Sequence, residues 1–490
     1  MPIPFKGTTV SDRVFTKRGD FMVFSSTLFI FLFLPITLGG YYLIKSEYRN
    51  YWLLLVSLGF FAWQQPNYLW LILINIIVNY IGALYVNKFK KGRIIALVLT
   101  IAINLGLLFY FKYFSFTMDS INKVLKSDIT LKNIVLPIGI SFFTFQGMSY
   151  VVDVYRKNVP AQRNIFKVAL YIALFPQLIA GPIVRYKDIA FEVDNRQTSL
   201  VDFSSGIERF IIGLGKKAIL ANTMASTADA IWNNGAMNNT WLIAWVGSIA
   251  YTLQIYFDFS GYSDMAVGLG RMFGFHFNEN FKLPYISDSI SEFWRRWHIS
   301  LSSWFKDYVY IPLGGNRKRV YLNLTIVFLL TGIWHGASWH FLAWGVWNGF
   351  FIILERFIRN RKEKWTEKSL SIKMISKIYT LFVINLGWVL FRAPHTKDAV
   401  QFIGTMFGII VPEKIGYTVF WYLDKWSITI MLFAIFFASS LPIRLCEVAQ
   451  RRMPEKMVVV FKYSALLVLL WFSMLRIVAG TYNPFIYFQF

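Results

Sequence analysis

One cysteine, five histidines and only 26 acidic residues against 50 basic ones are what this 490-residue chain has least of. Cys446 alone excludes an intramolecular disulfide and any cysteine-cluster metal site. It falls in an apolar run, where a small apolar filler is the expected role. Charged residues are 16% of the chain, well below the roughly 25% of soluble domains. The first 21 residues lack the apolar core of a signal peptide. They are expected to form a short polar extension, with Met22 a plausible alternative start. No inverted repeat of the transporter kind, no low-complexity tract and no linker interrupts residues 22–490, which are expected to form a single membrane domain. A G-x-S-x-G elbow and a phosphate-binding P-loop are both missing, so serine-hydrolase and ATPase chemistry find no support.

What is abundant is apolar. Hydrophobic residues reach 56% and aromatics 19%, with a mean hydropathy of +0.48. Apolar runs such as 21–44, 68–86, 94–110, 241–266 and 458–478 approach or exceed the ~20 residues that cross a ~30 Å hydrocarbon core. Taken together the runs predict an all-α, polytopic membrane protein of about 10–12 spans. The formal charge of +24 would suggest nucleic acid in a soluble protein. Here the basic residues crowd into loops at 87–93, 156–163, 314–319 and 356–368, which the positive-inside rule places on the cytoplasmic face. No nucleic-acid partner is expected; the lipid bilayer is.

Ionisable residues inside membrane segments are functional candidates by default. In "FWRRWHISLSSWFKDYVYIPLGGNR" (293–317), the aromatic residues share one arc of about 160° and the arginines the opposite face. An interfacial amphipathic helix is expected there, apolar face in the membrane. His298 falls near the edge of the aromatic arc, and both a catalytic and a simply satisfied histidine fit it. In "TGIWHGASWHFLAWGVWNGFF" (331–351), His335 and His340 are five apart, about 140° around a helix. With no glutamate between them they make no zinc pair. The run 320–354 is too long for one span and short for two, so a broken helix is expected, with Gly332 and Gly336 bracketing His335. Broken backbone survives at membrane depth only against protein or a water-lined cavity. That favours a functional His335 and a packing His340.

Asp264 and Arg271 are seven apart and are expected to neutralise each other. Gln146 and Gln177 lie in apolar stretches broken by Pro and Gly, which suit either a tunnel lining or tight helix packing. Histidine near neutral pH can take a proton from a hydroxyl and return it to a leaving group. The residues thus point to acyl transfer from a thioester, or to proton-coupled transport using Asp258, Asp264 and His335.

The motifs at 293–317 and 331–345, with "LFPQLIAGPIVRY" at 174–186, "FDFSGYSDMAVGLGRMFGF" at 257–275 and "NPFIYFQF" at the C-terminus, resemble the membrane-bound O-acyltransferase family. The resemblance is greatest to the branch that O-acetylates alginate, and it runs from Met22 to Phe490. It implies a ring of tilted helices around an internal tunnel, a cytoplasmic acetyl-CoA donor, and a polysaccharide acceptor served through an extracytoplasmic esterase-like partner. It implies the bacterial cytoplasmic membrane, no bound cofactor and no metal. His335, in W-H-G, matches the family's catalytic base and His298, in R-W-H, its second histidine. Trp334, Asn348, Gln146, Gln177 and Asp264 are then candidates for lining the tunnel or positioning substrate. Asn348-Gly349 stands where relatives often have His-Gly, so Asn348 can position but not act as a base. D-alanyl transfer to teichoic acid and peptidoglycan O-acetylation are the neighbouring activities.

Overall fold

Inside a bilayer every backbone N–H and C=O must be satisfied by protein, and helices do this within one segment. The computed structural model describes residues 22–89, 91–127, 129, 134–361, 370–412, 416–480 and 482–486; the polar extension 1–21 lies outside the described residues. Helices make up the regular structure, with no strand among the described residues. Among the described residues six are long and apolar enough to cross a membrane: Pro66–Lys88, Arg93–Leu125, Trp241–Met272, Trp339–Ile358, Leu370–Arg392 and Glu455–Val478. Lys425–Ala438 and Leu441–Arg452, bent by 70°, add a broken seventh, and Phe29–Leu43 and Val320–His335 are shorter apolar helices. The chain is thus a multi-pass helical membrane protein. The other apolar runs behind the expected 10–12 crossings form helices below that length or hydropathy. Cys446 is exposed on the short helix after the bend.

The elements that build the site follow in chain order. Helix α1 (Arg93–Leu108) continues through a π-helical turn, Phe109–Tyr113, into α2 (Phe114–Leu125). Next come α3 (Ile140–Tyr155), α4 (Leu200–Gly215) and the 32-residue α5 (Trp241–Met272). Two short helices, α6 (Ile290–Arg296) and α7 (Ile299–Phe305), precede α8 (Val320–His335), α9 (Trp339–Arg361), α10 (Leu370–Arg392) and α11 (Glu455–Val478). The apolar window of α5 is 72% buried and that of α11 only 11%, which makes α5 the central post and α11 an outer, lipid-facing stave. Helix α5 meets α4 at glycine pairs. A Cβ on Gly213 would stand 2.6 Å from Gly261 O, and one on Gly206 equally close to Gly268 O. This is the small-residue packing that lets membrane helices approach closely.

The basic loops gather at one end of the bundle. Arg93 bonds Tyr155 O, Tyr80 Oη donates to Arg163 O at 2.7 Å, Arg156 donates to Asp307 O at 2.9 Å, and Arg356 to Asn316 Oδ1 at 3.0 Å. Just outside α5, His276 is clasped by two carboxylates, with Nδ1 2.8 Å from Glu192 and Nε2 3.2 Å from Asp202. Partial burial works against its positive charge, but the bonds to Glu192 and Asp202 outweigh it and hold its pKa above the ordinary 6.5. A raised folded-state pKa contributes stability that is full below the unfolded value and is lost as pH climbs through the folded one. The thermal midpoint of wild type is therefore expected to exceed that of His276→Gln at about pH 6 and to converge with it at about pH 9. An equal gap at both pH values contradicts this.

The central post is also pinned to the C-terminal tail. Buried Asp258 on α5 pairs with buried Lys217 at 2.6 Å and accepts the N–H of Ile486 at 2.9 Å, while Lys217 also bonds Pro484 O. Phe485 packs on Tyr262, ring centroids 4.7 Å apart. Asp258→Ala strands a buried ammonium, a change that costs about 3–5 kcal/mol. A large fall in the thermal midpoint in detergent is expected, and an unchanged midpoint refutes the arrangement.

Candidate active site

Helix α8 is a short apolar helix, and His335 is its last residue. Gly336 leaves the helix in an extended conformation (φ −173°, ψ 156°), and α9 begins three residues later. The broken helix expected over 320–354 is therefore present. Both flanking glycines are required by close packing: a Cβ at Gly332 would meet Phe341 O at 2.5 Å, and one at Gly336 would overlap the Phe341 ring. The break turns the His335 ring into an aromatic box, with centroids 5.0 Å from Trp334, 5.1 Å from Trp344 and 5.1 Å from Phe391. The side chain is buried, and its Nδ1 has no hydrogen-bond partner among the described residues. His340, by contrast, has its Nδ1 2.7 Å from the Ser338 hydroxyl.

The expected amphipathic helix at 293–317 is corrected. The chain breaks at Trp297-His298, where His298 adopts the left-handed conformation (φ 44°, ψ 53°) between α6 and α7. Phe293, Trp294, Trp297, Leu301, Trp304 and Phe305 are buried in the protein core rather than in lipid. Periodicity gave the aromatic arc correctly but could not tell a lipid from a neighbouring helix as its cover. Left-handed backbone at a non-glycine residue costs of order 1–3 kcal/mol and persists where the surroundings over-determine it.

Here Asn280 does that. Its Nδ2 donates to Ser263 Oγ at 3.1 Å, and its Oδ1 accepts the Ser300 N–H at 3.1 Å. The amide orientation is thereby set, so the same Oδ1, 3.2 Å from His298 Nδ1, requires that nitrogen to carry the proton. In the neutral ring Nε2 is then the basic nitrogen.

The two histidines come together at one indole. Both rings lie against Trp334, at 6.0 Å for His298 and 5.0 Å for His335. The indole Nε1 of Trp334 is buried without a partner among the described residues. Asn348 stands one layer behind: its Oδ1 accepts from Trp294 Nε1 at 3.3 Å, and Trp294 packs on Trp344. Among the described residues, fully buried Gln146 has neither side-chain polar atom bonded, and Gln177 donates to Tyr171 O at 2.5 Å while its Oε1 has no partner. Asp264 is not paired with Arg271; Arg209 (2.7 Å) and Lys216 (2.6 Å) reach it from across the bundle. Spacing along one helix could not reveal partners on another.

Gln146, Ser149 and Asp153 share one face of α3 at i, i+3 and i+7. They run from beside Phe145, which packs on Trp334 at 5.7 Å, down to the basic end. There Asp153 accepts from Tyr308 at 2.7 Å, and Arg185 (2.6 Å) and Lys187 (3.6 Å) gather on Asp307. Beside these, Arg185 forms a second pair with Asp188 at 2.9 Å. Among the described residues no three His, Cys, Asp or Glu side chains are grouped to hold a metal.

Sequence reasoning missed Asn280, and it missed Lys112. The Lys112 ammonium lies 2.5 Å from Trp334 O, 3.1 Å from Ser141 Oγ and 3.5 Å from His335 O. The missed signal was a lysine within an apolar stretch, hidden by ending the run at residue 110. Asn280 had none, because its role depends on contacts far apart in the chain.

Comparison with known proteins gives a consistent result. The model of the membrane-bound O-acyltransferase family matches residues 41–392. A probable alginate O-acetylase of Pseudomonas putida is 40% identical over 96% of this chain and 100% of its own length. Its counterpart in Pseudomonas aeruginosa is 44% identical over 79% of this chain and 75% of its own. The peptidoglycan O-acetyltransferase of Helicobacter pylori is 36% identical over 79% of this chain and 80% of its own.

Proposed function

Because the chain belongs to the membrane-bound O-acyltransferase family, we propose that it carries acetyl groups from cytoplasmic acetyl-CoA to hydroxyls of an exported or cell-surface polysaccharide. The setting is the bacterial cytoplasmic membrane, and an extracytoplasmic esterase-like partner completes delivery. Residues 22–490 act as one catalytic membrane domain. The relatives named for alginate and for peptidoglycan acetylation both act on glycans, which favours a sugar hydroxyl over the D-alanyl acceptor of more distant relatives at 28% identity.

The observation that carries this reading is a series of buried polar atoms without partners among the described residues: His335 Nδ1, Trp334 Nε1, both ends of Gln146, and Gln177 Oε1. Leaving each unbonded costs about 1–3 kcal/mol, which suits a site that a polar substrate fills. Arg156, Arg185 and Lys187 at the basic end suit the phosphates of a nucleotide thioester. His335 takes the proton from the attacking hydroxyl as its oxygen bonds the acetyl carbon. The thioester C–S bond breaks, and the proton passes to the departing thiolate, leaving an O-acetyl ester and free CoA. His298, with its proton held on Nδ1 by Asn280, presents a second basic nitrogen near the same indole. Gln146 and Gln177 orient the thioester arm, Trp334 and Asn348 set the aromatic wall, and Asp264 holds the central post.

The test is reconstitution in vesicles with the basic loops facing outward. Radiolabelled acetyl-CoA added outside is expected to release CoA and acetylate a glycan acceptor enclosed with the partner. Release only with inward-facing protein refutes the donor side. No turnover in either orientation, with folded protein and partner present, refutes the acetyl-CoA reading.

A further inference from the structure

Helix α8 ends at His335, and the last four carbonyls of any helix lack an intrahelical partner. Three of the four here receive a donor from outside the helix. Tyr113 Oη donates to Ile333 O at 3.0 Å, and the Lys112 ammonium to Trp334 O at 2.5 Å, with His335 O at 3.5 Å. The two donors are adjacent in sequence and close the π-helical turn Phe109–Tyr113. Single π turns inside α-helices are frequent at functional sites. Among the described residues, no carboxylate bonds Lys112. Its acceptors are carbonyls, the Ser141 hydroxyl and, 5.7 Å away, the face of the Trp334 ring. A cation there meets the negative end of the α8 dipole and bonds its last carbonyls.

We infer that Lys112 is a positioning residue for the acyl transfer: its ammonium caps the C-terminal carbonyls of α8 and so fixes where the His335 ring stands. The inference rests on the reading of His335 as the base. A lysine needed only for orientation in the membrane would reach for water or lipid phosphate. This one turns inward and bonds the backbone of Trp334 and, at longer range, His335. Without it the last turn of α8 must find other donors or unwind, and either change moves the ring at its tip. Displacing a reacting group by about 1 Å can cost on the order of 10²-fold in rate. The loss belongs in kcat, because the cap lies behind the histidine and not in the donor path.

The experiment uses full-length protein in lipid nanodiscs, with Lys112→Met, Lys112→Arg and Tyr113→Phe beside wild type. Acetyl-CoA turnover and a cryo-electron microscopy map are obtained for each. Lys112→Met is expected to lose about 10²-fold in kcat with KM changed by less than about threefold. Its map is expected to show the His335 ring displaced, and Lys112→Arg to recover most of the rate and the ring position. Wild-type turnover in Lys112→Met overturns the inference, as does a rise in KM at unchanged kcat, or lost turnover with the ring undisplaced. Should Lys112→Met not fold, Lys112→Arg and Tyr113→Phe decide: a reduced kcat in Tyr113→Phe with a shifted ring supports it, and wild-type kcat in both overturns it. If wild type turns over no acetyl-CoA yet the ring still moves in Lys112→Met, the positioning stands and the reaction assigned to His335 falls.

Discussion

His335→Ala, present in the membrane at wild-type level, is expected to turn over acetyl-CoA about 10³-fold more slowly than wild type, within the range that a general base supplies. The ring sits where α8 ends and the chain turns into α9, boxed by Trp334, Trp344 and Phe391. Its unbonded Nδ1 is free of the structural bond that holds His340 to Ser338. His335→Gln keeps a hydrogen-bonding group of similar reach but cannot take a proton at neutral pH, so it is expected to be nearly as slow. Steady-state release of CoA from reconstituted protein measures both. A His335→Gln enzyme within about tenfold of wild type would show that the ring packs or binds but does not act as a base.

His298→Ala is expected to lose about 10²-fold in kcat, less than His335→Ala. The reason lies in how the ring is held. Asn280 accepts from His298 Nδ1 and from both the N–H and the hydroxyl of Ser300, while donating to Ser263 on α5. Asn280→Leu keeps the histidine but frees its tautomer and orientation, and about a tenfold loss is expected, in kcat rather than KM. Because the two histidines share the wall formed by Trp334, their effects should not add: the double variant His298→Ala/His335→Ala is expected to be little slower than His335→Ala alone. Multiplicative losses would place the two residues in separate steps.

How far the sequence reaches follows from which interactions lie along it. The membrane class, the basic face and the break beside His335 are local properties of composition, loop charge and glycine placement. All were legible. The amphipathic arc at 293–305 was legible as a pattern but misassigned to lipid, because burial under another helix and burial in lipid demand the same residues. The partners of Asp264 were not legible at all: Arg209 and Lys216 lie 55 and 48 positions away, on another segment. The approach of His298 to Trp334 likewise needs the left-handed kink that Asn280 imposes from 18 positions upstream. Lys112 was hidden for a simpler reason, since a lysine at the edge of an apolar run passes for the end of a span.

The role of His335 is tested most directly by ester-linked acetate in the surface and secreted polysaccharide of three strains: a deletion, the deletion rescued by wild type, and the deletion carrying His335→Ala at matched membrane abundance. The expected result is acetate in the wild-type rescue and none above the deletion background with His335→Ala. Wild-type acetate with His335→Ala would return the histidine to a packing role, and absence of any difference between deletion and rescue would remove the polysaccharide from the reaction.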